Sequence, residues 1–177
     1  MYFGRLVRLR PFEREDAECY RTWVNDEEIA GLVDRVRPVT RLEHEAWYEA
    51  LVRSDRTCAF AVDRRDNERF IGLAWLHGVE WRHRRAEVRI VLGDRESWGK
   101  GYGTDALRVL VSIAFGPMGL EKLWAEALAT NGRAVAAFER AGFVREGVLR
   151  QDRIHTGGRV DVVRLGILRS IDMEPAL

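Results

Sequence analysis

The sequence predicts an α/β fold in which helices flank one central sheet that is mixed but mostly antiparallel. The first half of the 177-residue chain contains apolar runs that turn back on themselves, which is typical of antiparallel hairpins. Between residues 86 and 128, a strand, a long helix and another strand follow one another. Such an order requires a parallel pair of strands joined by a right-handed crossover. One parallel pair among antiparallel neighbours is therefore expected.

Length and composition indicate a soluble globular protein, and we expect residues 1–177 to form one domain. Hydrophobic residues make up 46% of the chain and charged residues 32%, which is ordinary for this class. The formal net charge is only +1, so the sequence predicts no nucleic-acid partner. The local cluster Arg82, Arg84 and Arg85 is interpreted as a solvated basic surface.

The spacing of the cysteines and the search for targeting signals indicate the cellular compartment of the protein. Cys19 and Cys58 lie far apart and have neither metal-binding nor redox spacing, which fits a reducing environment. The N-terminus lacks the apolar segment of a signal peptide, and no run of about 18 apolar residues occurs. The sequence therefore predicts a cytoplasmic protein with no membrane partner and no metal site.

The chain is expected to begin with a short strand and a helix. The strand covers Leu6–Leu9 and is ended by Pro11, because proline lacks the N–H that a strand ladder needs. Apolar residues then recur at helical spacing over Glu13–Val24. Asn25 and Asp26 are expected to end this helix.

A capping box opens the second predicted helix after a loop around Pro38. Thr40 is the N-cap residue and Glu43 stands three positions later, so each side chain satisfies a backbone amide of the other. The helix runs to about Arg53 and is expected to carry Trp47, Ala50 and Leu51 on its buried side.

Three strands follow this helix, over Cys58–Val62, Phe70–Leu76 and Ala86–Leu92. Asp66 and Asn67 form the turn that makes the first two a hairpin. In the third strand Glu87, Arg89 and Val91 alternate with apolar residues. One face of that strand therefore carries charge.

The second half alternates helices and strands. A strong apolar stripe predicts a helix over Thr104–Phe115 that Gly116-Pro117 stops. A second helix is expected over Ala134–Ala141, with Asn131 as its cap. The strands of this half are predicted at Leu123–Leu128, from Phe143-Val144 onward, and over Val160–Leu168.

The loop before the long helix predicts an anion site. Gly99, Gly101 and Gly103 alternate there, which exposes backbone N–H groups at a helix N-terminus. A Walker A loop is excluded, because Lys100 is followed by Gly101 instead of Ser or Thr. Gly101 to Ala106 does match the dinucleotide pattern G-x-G-x-x-A, so a nicotinamide-dependent oxidoreductase remains an alternative.

Two motifs resemble those of the GNAT superfamily of N-acetyltransferases. The segment Trp98–Leu107 resembles the loop that binds the pyrophosphate of coenzyme A, with Trp98 where the family has Arg or Gln. The segment Asn131–Phe143 resembles the second family motif, an asparagine that leads into a short helix ending in Gly-Phe. The C-terminal segment Leu149–Val163 resembles the branch that contains the ribosomal-protein N-terminal acetyltransferases.

The resemblance implies an acyl-CoA N-acyltransferase fold, in which the parallel pair of strands splays apart, and acetyl-CoA as cosubstrate. Direct attack of a primary amine on acetyl-CoA in a ternary complex is then expected. The acceptor would be a small molecule or a peptide, and a homodimer is plausible for this branch. The residues implied to contact coenzyme A are Ile90, Val91, Leu92, Trp98, Gly99, Lys100, Gly101, Tyr102, Gly103, Thr104, Asn131, Arg133 and Phe138.

The resemblance also implies catalytic roles. Glu87 matches a glutamate common in this branch and is the candidate general base, although an ion pair with Arg89 is the alternative reading. A backbone N–H near Val91 or Leu92 is the candidate oxyanion donor. Phe138 replaces the tyrosine that usually protonates the leaving thiolate, so a non-catalytic acyl-CoA-binding module is the alternative function.

Acceptor selection is expected from the first two helices and from two loops, near Val33–Val39 and Trp81–Arg85. The tryptophans Trp23, Trp47, Trp75 and Trp81 are expected mostly in the core. His77 and His155 are candidates for reaching the cleft. The sequence shows no acidic cluster that indicates a polyamine or aminoglycoside acceptor.

Overall fold

A computed structural model of the chain describes residues 1–33, 37–155 and 157–170. Its strands form one sheet of eight in the order β1-β2-β3-β4-β5-β6-β8-β7. They are β1 (Tyr2–Phe3), β2 (Val7–Pro11), β3 (Cys58–Arg64), β4 (Phe70–Glu80), β5 (Arg85–Leu92), β6 (Lys122–Leu128), β7 (Val144–His155) and β8 (Gly158–Leu168). The helices are α1 (Arg14–Val24), α2 (Glu27–Leu32), α3 (Arg41–Arg53), α4 (Tyr102–Phe115) and α5 (Gly132–Arg140), with a 3-10 turn at Arg95–Ser97.

The sheet confirms the predicted mixed architecture. Strands β5 and β6 are parallel, and every other pair of neighbouring strands is antiparallel. The two-residue strand β1 and the short helix α2 were not expected. Helix α2 was missed because Asp26, read as the end of α1, also accepts the N–H groups of Glu28 and Ile29 and so starts a new helix.

Helix α3 begins at the predicted capping box, since Thr40 Oγ1 accepts the N–H of Glu43 while Glu43 accepts the N–H of Thr40. Its expected buried side is partly wrong. Ala50 is exposed, whereas His44, Tyr48 and Leu51 are buried. These three positions share one helical face, and the aromatic ring of Tyr48 buries more apolar area there than an alanine would.

Two apolar clusters lie on opposite faces of the sheet. One packs α4 and α5 against residues such as Ala86, Val88 and Leu123. The other packs α1 and α3 against the opposite face, where Trp75 and Val91 contribute, and Ile29 of α2 joins it. Because side chains alternate along a strand, Glu87 and Arg89 share this second face with Val91. It is called the α1–α3 face below.

The parallel pair separates soon after it begins. Pairing between β5 and β6 covers only Arg85 to Glu87 and Lys122 to Trp124. From Val88 onward β5 continues along β4, so a V-shaped opening lies between β5 and β6. The predicted splay is thus present, and it exposes the backbone of β5 on the side that β6 leaves.

Within the described ranges of the chain, no helix is both long and apolar enough to cross a membrane.

Candidate active site

A cleft of about 200 Å³ lies at the V-shaped opening. On one face of the sheet it is lined by the glycine loop and α5, and on the α1–α3 face by Ile29, Leu32 and Val33. The cleft therefore reaches through the sheet, from one face to the other. The structure places there the following predicted residues: Ile90, Val91, Leu92, Trp98, Gly99, Gly101, Gly103, Thr104, Asn131, Arg133 and Phe138.

The glycine loop has the backbone geometry of an anion site. Gly99 and Gly101 adopt φ angles of 72° and 91°, which residues with a Cβ rarely reach. Helix α4 starts at Tyr102, two residues before the predicted Thr104, and no side chain caps it. The first intrahelical donor is Asp105, whose N–H lies 3.0 Å from the carbonyl oxygen of Gly101. The preceding amides of the first turn are left to bind an anion.

Two predicted residues of the loop do not direct their side chains into the cleft. Lys100 is exposed and is absent from the lining. The Tyr102 ring faces the Arg64 guanidinium at 5.3 Å and packs against the main core. Lys100 and Tyr102 therefore contribute only their backbone amides to the loop, and it is through these amides that we expect both residues to contact coenzyme A.

Asp105 fixes the first turn of α4 to the start of β2. Its Oδ2 accepts the N–H of Leu6 at 2.6 Å and that of Val7 at 3.1 Å. Close packing reinforces this contact, since a Cβ on Gly4 would lie 2.4 Å from Asp105 Oδ2. The sequence analysis missed the contact because its partners stand almost a hundred positions apart and no local pattern links them.

The register of β4 and β5 decides which amides face the opening. The N–H of Gly93 bonds the carbonyl of Ile71, and hydrogen-bonded pairs alternate along an antiparallel ladder. Val91 therefore directs its backbone groups toward β4, whereas those of Ile90 and Leu92 point into the opening. Of the two predicted oxyanion donors, only the N–H of Leu92 faces the cleft.

Trp98 contacts both walls of the cleft mouth. Its Nε1–H donates to the carbonyl of Leu92 at 2.7 Å, and the Arg133 guanidinium lies 4.1 Å from its ring centroid. Asn131 is the N-cap of α5, and its Oδ1 accepts the N–H of Ala134 at 3.1 Å. Its predicted cap role is confirmed, and its place in the cleft wall leaves the amide group beside the ligand space.

Phe138 is an apolar part of the cleft wall. It is 4% exposed and packs edge-on against Phe143, with ring centroids 5.2 Å apart. Its ring has no O–H group and therefore supplies no proton to a leaving thiolate.

Glu87 lies at the closed end of the V and outside the cleft lining. Its side chain is 12% exposed, and its Oε2 accepts Arg89 Nη2 at 2.7 Å. The ion pair that was the alternative reading is thus present. His77 on β4 lies opposite Glu87 in the register of the two strands. Burial, together with the positive charge of Arg89, lowers the pKa of His77.

The fold shows where the other residues expected to select the acceptor lie. The ring of His155, at the end of β7, lies against Gly31 of α2. It is so close that a Cβ added to Gly31 would lie 3.2 Å from the ring. The loop Trp81–Arg85 lies at the opposite end of β5 from the cleft. Residues 34–36 of the other predicted loop fall outside the described residues. Trp23, Trp47 and Trp75 belong to the core as expected, while Trp81 is 52% exposed.

Within residues 1–33, 37–155 and 157–170, no group of three or more His, Cys, Asp or Glu side chains is arranged to hold a metal ion.

Comparison with known proteins identifies the family. Residues 6–144 match the acetyltransferase (GNAT) domain. The chain is 28% identical over 160 residues to the uncharacterized N-acetyltransferase YoaA of Bacillus subtilis, covering 89% of each chain. It is 32% identical over 98 residues to the putative ribosomal N-acetyltransferase YdaF of the same organism, covering 55% of this chain and 53% of YdaF.

Solved structures agree with this assignment. Spermidine N-acetyltransferase from Vibrio cholerae in complex with CoA and spermine superposes with a TM-score of 0.85 at 27% identity, over 92% of this chain and 95% of the enzyme. A dodecameric structure of that enzyme has a TM-score of 0.78 at 25% identity, over 92% and 94% of the two chains.

Proposed function

This chain belongs to the GNAT acetyltransferase family and is an N-acetyltransferase that uses acetyl-CoA to acetylate an amine, and we propose that the cleft through its sheet is the active site. The observation that supports this proposal most strongly is that one cleft joins an uncapped, glycine-rich helix N-terminus to the opposite face of the sheet. The cosubstrate and the acceptor can thus approach the same point of β5 from different sides. We propose that residues 1–177 act as one catalytic domain.

The residues of the cleft fit coenzyme A. The amides from Gly99 to Thr104 offer several N–H donors to a pyrophosphate, and the space beside Gly99 is open, since a Cβ there would meet no atom within 4 Å. Arg133 adds a positive charge at the cleft mouth. When bound, acetyl-CoA supplies the acetyl thioester that the acceptor attacks.

The backbone of β5 positions the thioester. Ile90 and Leu92 direct their backbone groups into the opening, where an extended pantetheine chain is able to pair with them. Only an N–H group can donate to the thioester oxygen, and of the two candidates, Val91 and Leu92, it is Leu92 whose N–H faces the opening. This amide is the proposed oxyanion donor.

Glu87 is the proposed general base. The attacking nitrogen must be neutral, and at pH 7 a lysine-like amine costs roughly 4–5 kcal/mol to deprotonate whereas an α-amine costs only about 1 kcal/mol. Since Glu87 lies outside the cleft lining and five residues along β5 from Leu92, we propose that a chain of water molecules connects its carboxylate to the amine. The proton leaves the nitrogen by this route as the new C–N bond forms and the C–S bond breaks.

The acceptor is proposed to be a small-molecule or peptide amine, and the protein is proposed to form homo-oligomers, a homodimer being the simplest. Support for self-association comes from the edge strand β7, which exposes Val144, Val148 and Ile154. Exposed apolar residues on an unpaired edge favour contact with a second copy.

The test combines binding and turnover. Calorimetry should detect acetyl-CoA binding and no comparable NAD binding, and thiol release should require an amine. Glu87→Gln should lower kcat roughly a hundredfold and change the acetyl-CoA Kd by less than about twofold. Its matched control is Glu80→Gln, which breaks a similar ion pair with Arg85 farther from the cleft and should leave kcat intact. Equal activity of Glu87→Gln and the wild type would remove the base assignment.

A further inference from the structure

The V-shaped opening has charged walls on the α1–α3 face. Besides Glu87 and Arg89 on β5, Glu126 of β6 faces the same side and accepts Arg164 Nη1 at 2.9 Å and Arg153 Nη2 at 3.2 Å. Three guanidinium groups thus accompany two carboxylates, and each carboxylate is already paired. A polycationic acceptor would meet arginines here instead of available carboxylates.

Arg89 lies where its side chain could bind a group of the acceptor. It stands two residues after Glu87, where β5 leaves β6, and two residues before Val91, which lines the cleft on the same face. Its side chain is 44% exposed, so a ligand in the opening is able to reach it.

The hydrogen-bonding capacity of Arg89 is largely unused. Throughout the described part of the chain, its one hydrogen-bond partner is Glu87, which it reaches through Nη2. A guanidinium group carries five N–H donors in one plane, and two of them match the two oxygens of a carboxylate. The remaining donors of Arg89 suit an anion in the opening.

We propose that Arg89 selects the acceptor by binding a carboxylate group that the acceptor carries near its reacting amine. The enzyme would then prefer anionic amines to polyamines, and would differ in this respect from the spermidine N-acetyltransferase to which its fold is similar. The inference rests on the proposed function, because it assumes that the acceptor enters from the α1–α3 face. Both attraction of the carboxylate and repulsion of a polycation contribute to the preference.

The experiment compares three dipeptides that share one α-amine and differ in charge, together with a polyamine. Initial rates of thiol release from acetyl-CoA are measured with the amidated dipeptides glycyl-aspartate, glycyl-asparagine and glycyl-lysine, and with spermidine. For the wild type, kcat/KM should be about tenfold higher with glycyl-aspartate than with glycyl-asparagine, as one charge-assisted contact provides. Glycyl-lysine and spermidine should be poorer still.

Substitution of Arg89 tests the residue itself. Arg89→Gln should make the three dipeptides equivalent within about twofold, mainly by raising KM for glycyl-aspartate, while Arg89→Lys should keep part of the preference. Arg85→Gln is the matched control, since Arg85 has a similar exposure of 47%, pairs with Glu80 and lies about 13 Å away along the same face of β5. This control should keep the wild-type preference, and thermal melting verifies that each variant is folded.

The outcomes separate the two proposals. A wild-type preference for spermidine or glycyl-lysine would overturn the role of Arg89, as would an unchanged preference in Arg89→Gln. Absence of acetyl-CoA binding in calorimetry, or of turnover with every amine, would instead overturn the proposed function and the acceptor proposal with it.

Discussion

Trp98 illustrates how one residue that departs from a family pattern acquires a role in this chain. The family usually has Arg or Gln there, yet the indole of Trp98 bonds the Leu92 carbonyl and stacks with Arg133. Both contacts join segments that frame the cleft mouth. The sequence identified Trp98 as a departure, but the partner of its N–H depends on how the loop folds back over the end of β5.

Phe138 supports a prediction about the leaving group. Phe138→Tyr places a phenol hydroxyl in the cleft wall, within the family motif that usually carries this acid. We expect kcat to rise by roughly tenfold when departure of the thiolate limits the rate, because a positioned acid assists that step. Steady-state kinetics with a fixed amine measures the change.

The matched control for this variant is Phe143→Tyr. It adds the same hydroxyl to the ring that packs against Phe138 in the core, so kcat should not rise. A kcat that stays at the wild-type value in a folded Phe138→Tyr protein would show that protonation of the thiolate is not limiting.

At the scale of elements, the glycine loop and α4 form a unit that Asp105 attaches to β2. Orphan amides at a helix start bind an anion well only when the helix is held in place. The sequence predicted the loop, its ligand type and the helix after it, because glycine spacing and apolar periodicity are local signals. It did not predict the Asp105 contact, because that contact joins distant segments.

A pair of glycine variants tests the loop. Gly99 and Gly119 both have positive φ, at 72° and 64°, and a Cβ at either one meets no atom within 4 Å. Gly99→Ala and Gly119→Ala should each cost about 1–2 kcal/mol of stability, because the left-handed conformation strains any residue with a Cβ.

Only Gly99→Ala should also weaken acetyl-CoA binding, by about tenfold in Kd, since its methyl group enters the phosphate-binding space. Chemical denaturation measures the stability of both variants, and calorimetry measures the affinity. Equal affinities in the two variants would contradict a phosphate site at this loop.

At the scale of the whole molecule, a buried charge network joins the first strands to α1. Asp63 is fully buried and accepts Arg8 Nε at 3.0 Å and Arg10 Nε at 2.8 Å, while Arg10 also binds Asp16. These hydrogen bonds raise the pKa of Arg8 and Arg10. The network fixes β2, β3 and α1 relative to one another, and β2 in turn holds Asp105.

Removal of the central carboxylate should therefore destabilise the fold. Asp63→Ala leaves two arginines without their buried partner and is expected to cost about 3 kcal/mol. Asp66→Ala is the control, because this exposed carboxylate pairs with Arg64 at the surface and should cost less than about 1 kcal/mol. Urea denaturation of both variants measures the difference, and equal midpoints would contradict the importance of the network.

The sequence by itself determined every α-helix except α2, most strands, the parallel pair, the glycine loop and the family. These features depend on short-range periodicity, turn residues and local motifs, all of which involve residues close together in the sequence. It left Glu87 with two readings and could not choose between the amides of Val91 and Leu92.

The tertiary structure shows the ion pair between Glu87 and Arg89 and distinguishes the two amides. The register of β4 and β5 directs the Leu92 amide into the opening, and where β5 separates from β6 the Arg89 side chain is left 44% exposed. Arg153 and Arg164 reach Glu126 only because β6, β8 and β7 are neighbours in the sheet. The physical reason is that hydrogen-bond direction and charge balance at a site depend on strands distant in sequence, and only the assembled sheet fixes their relative positions.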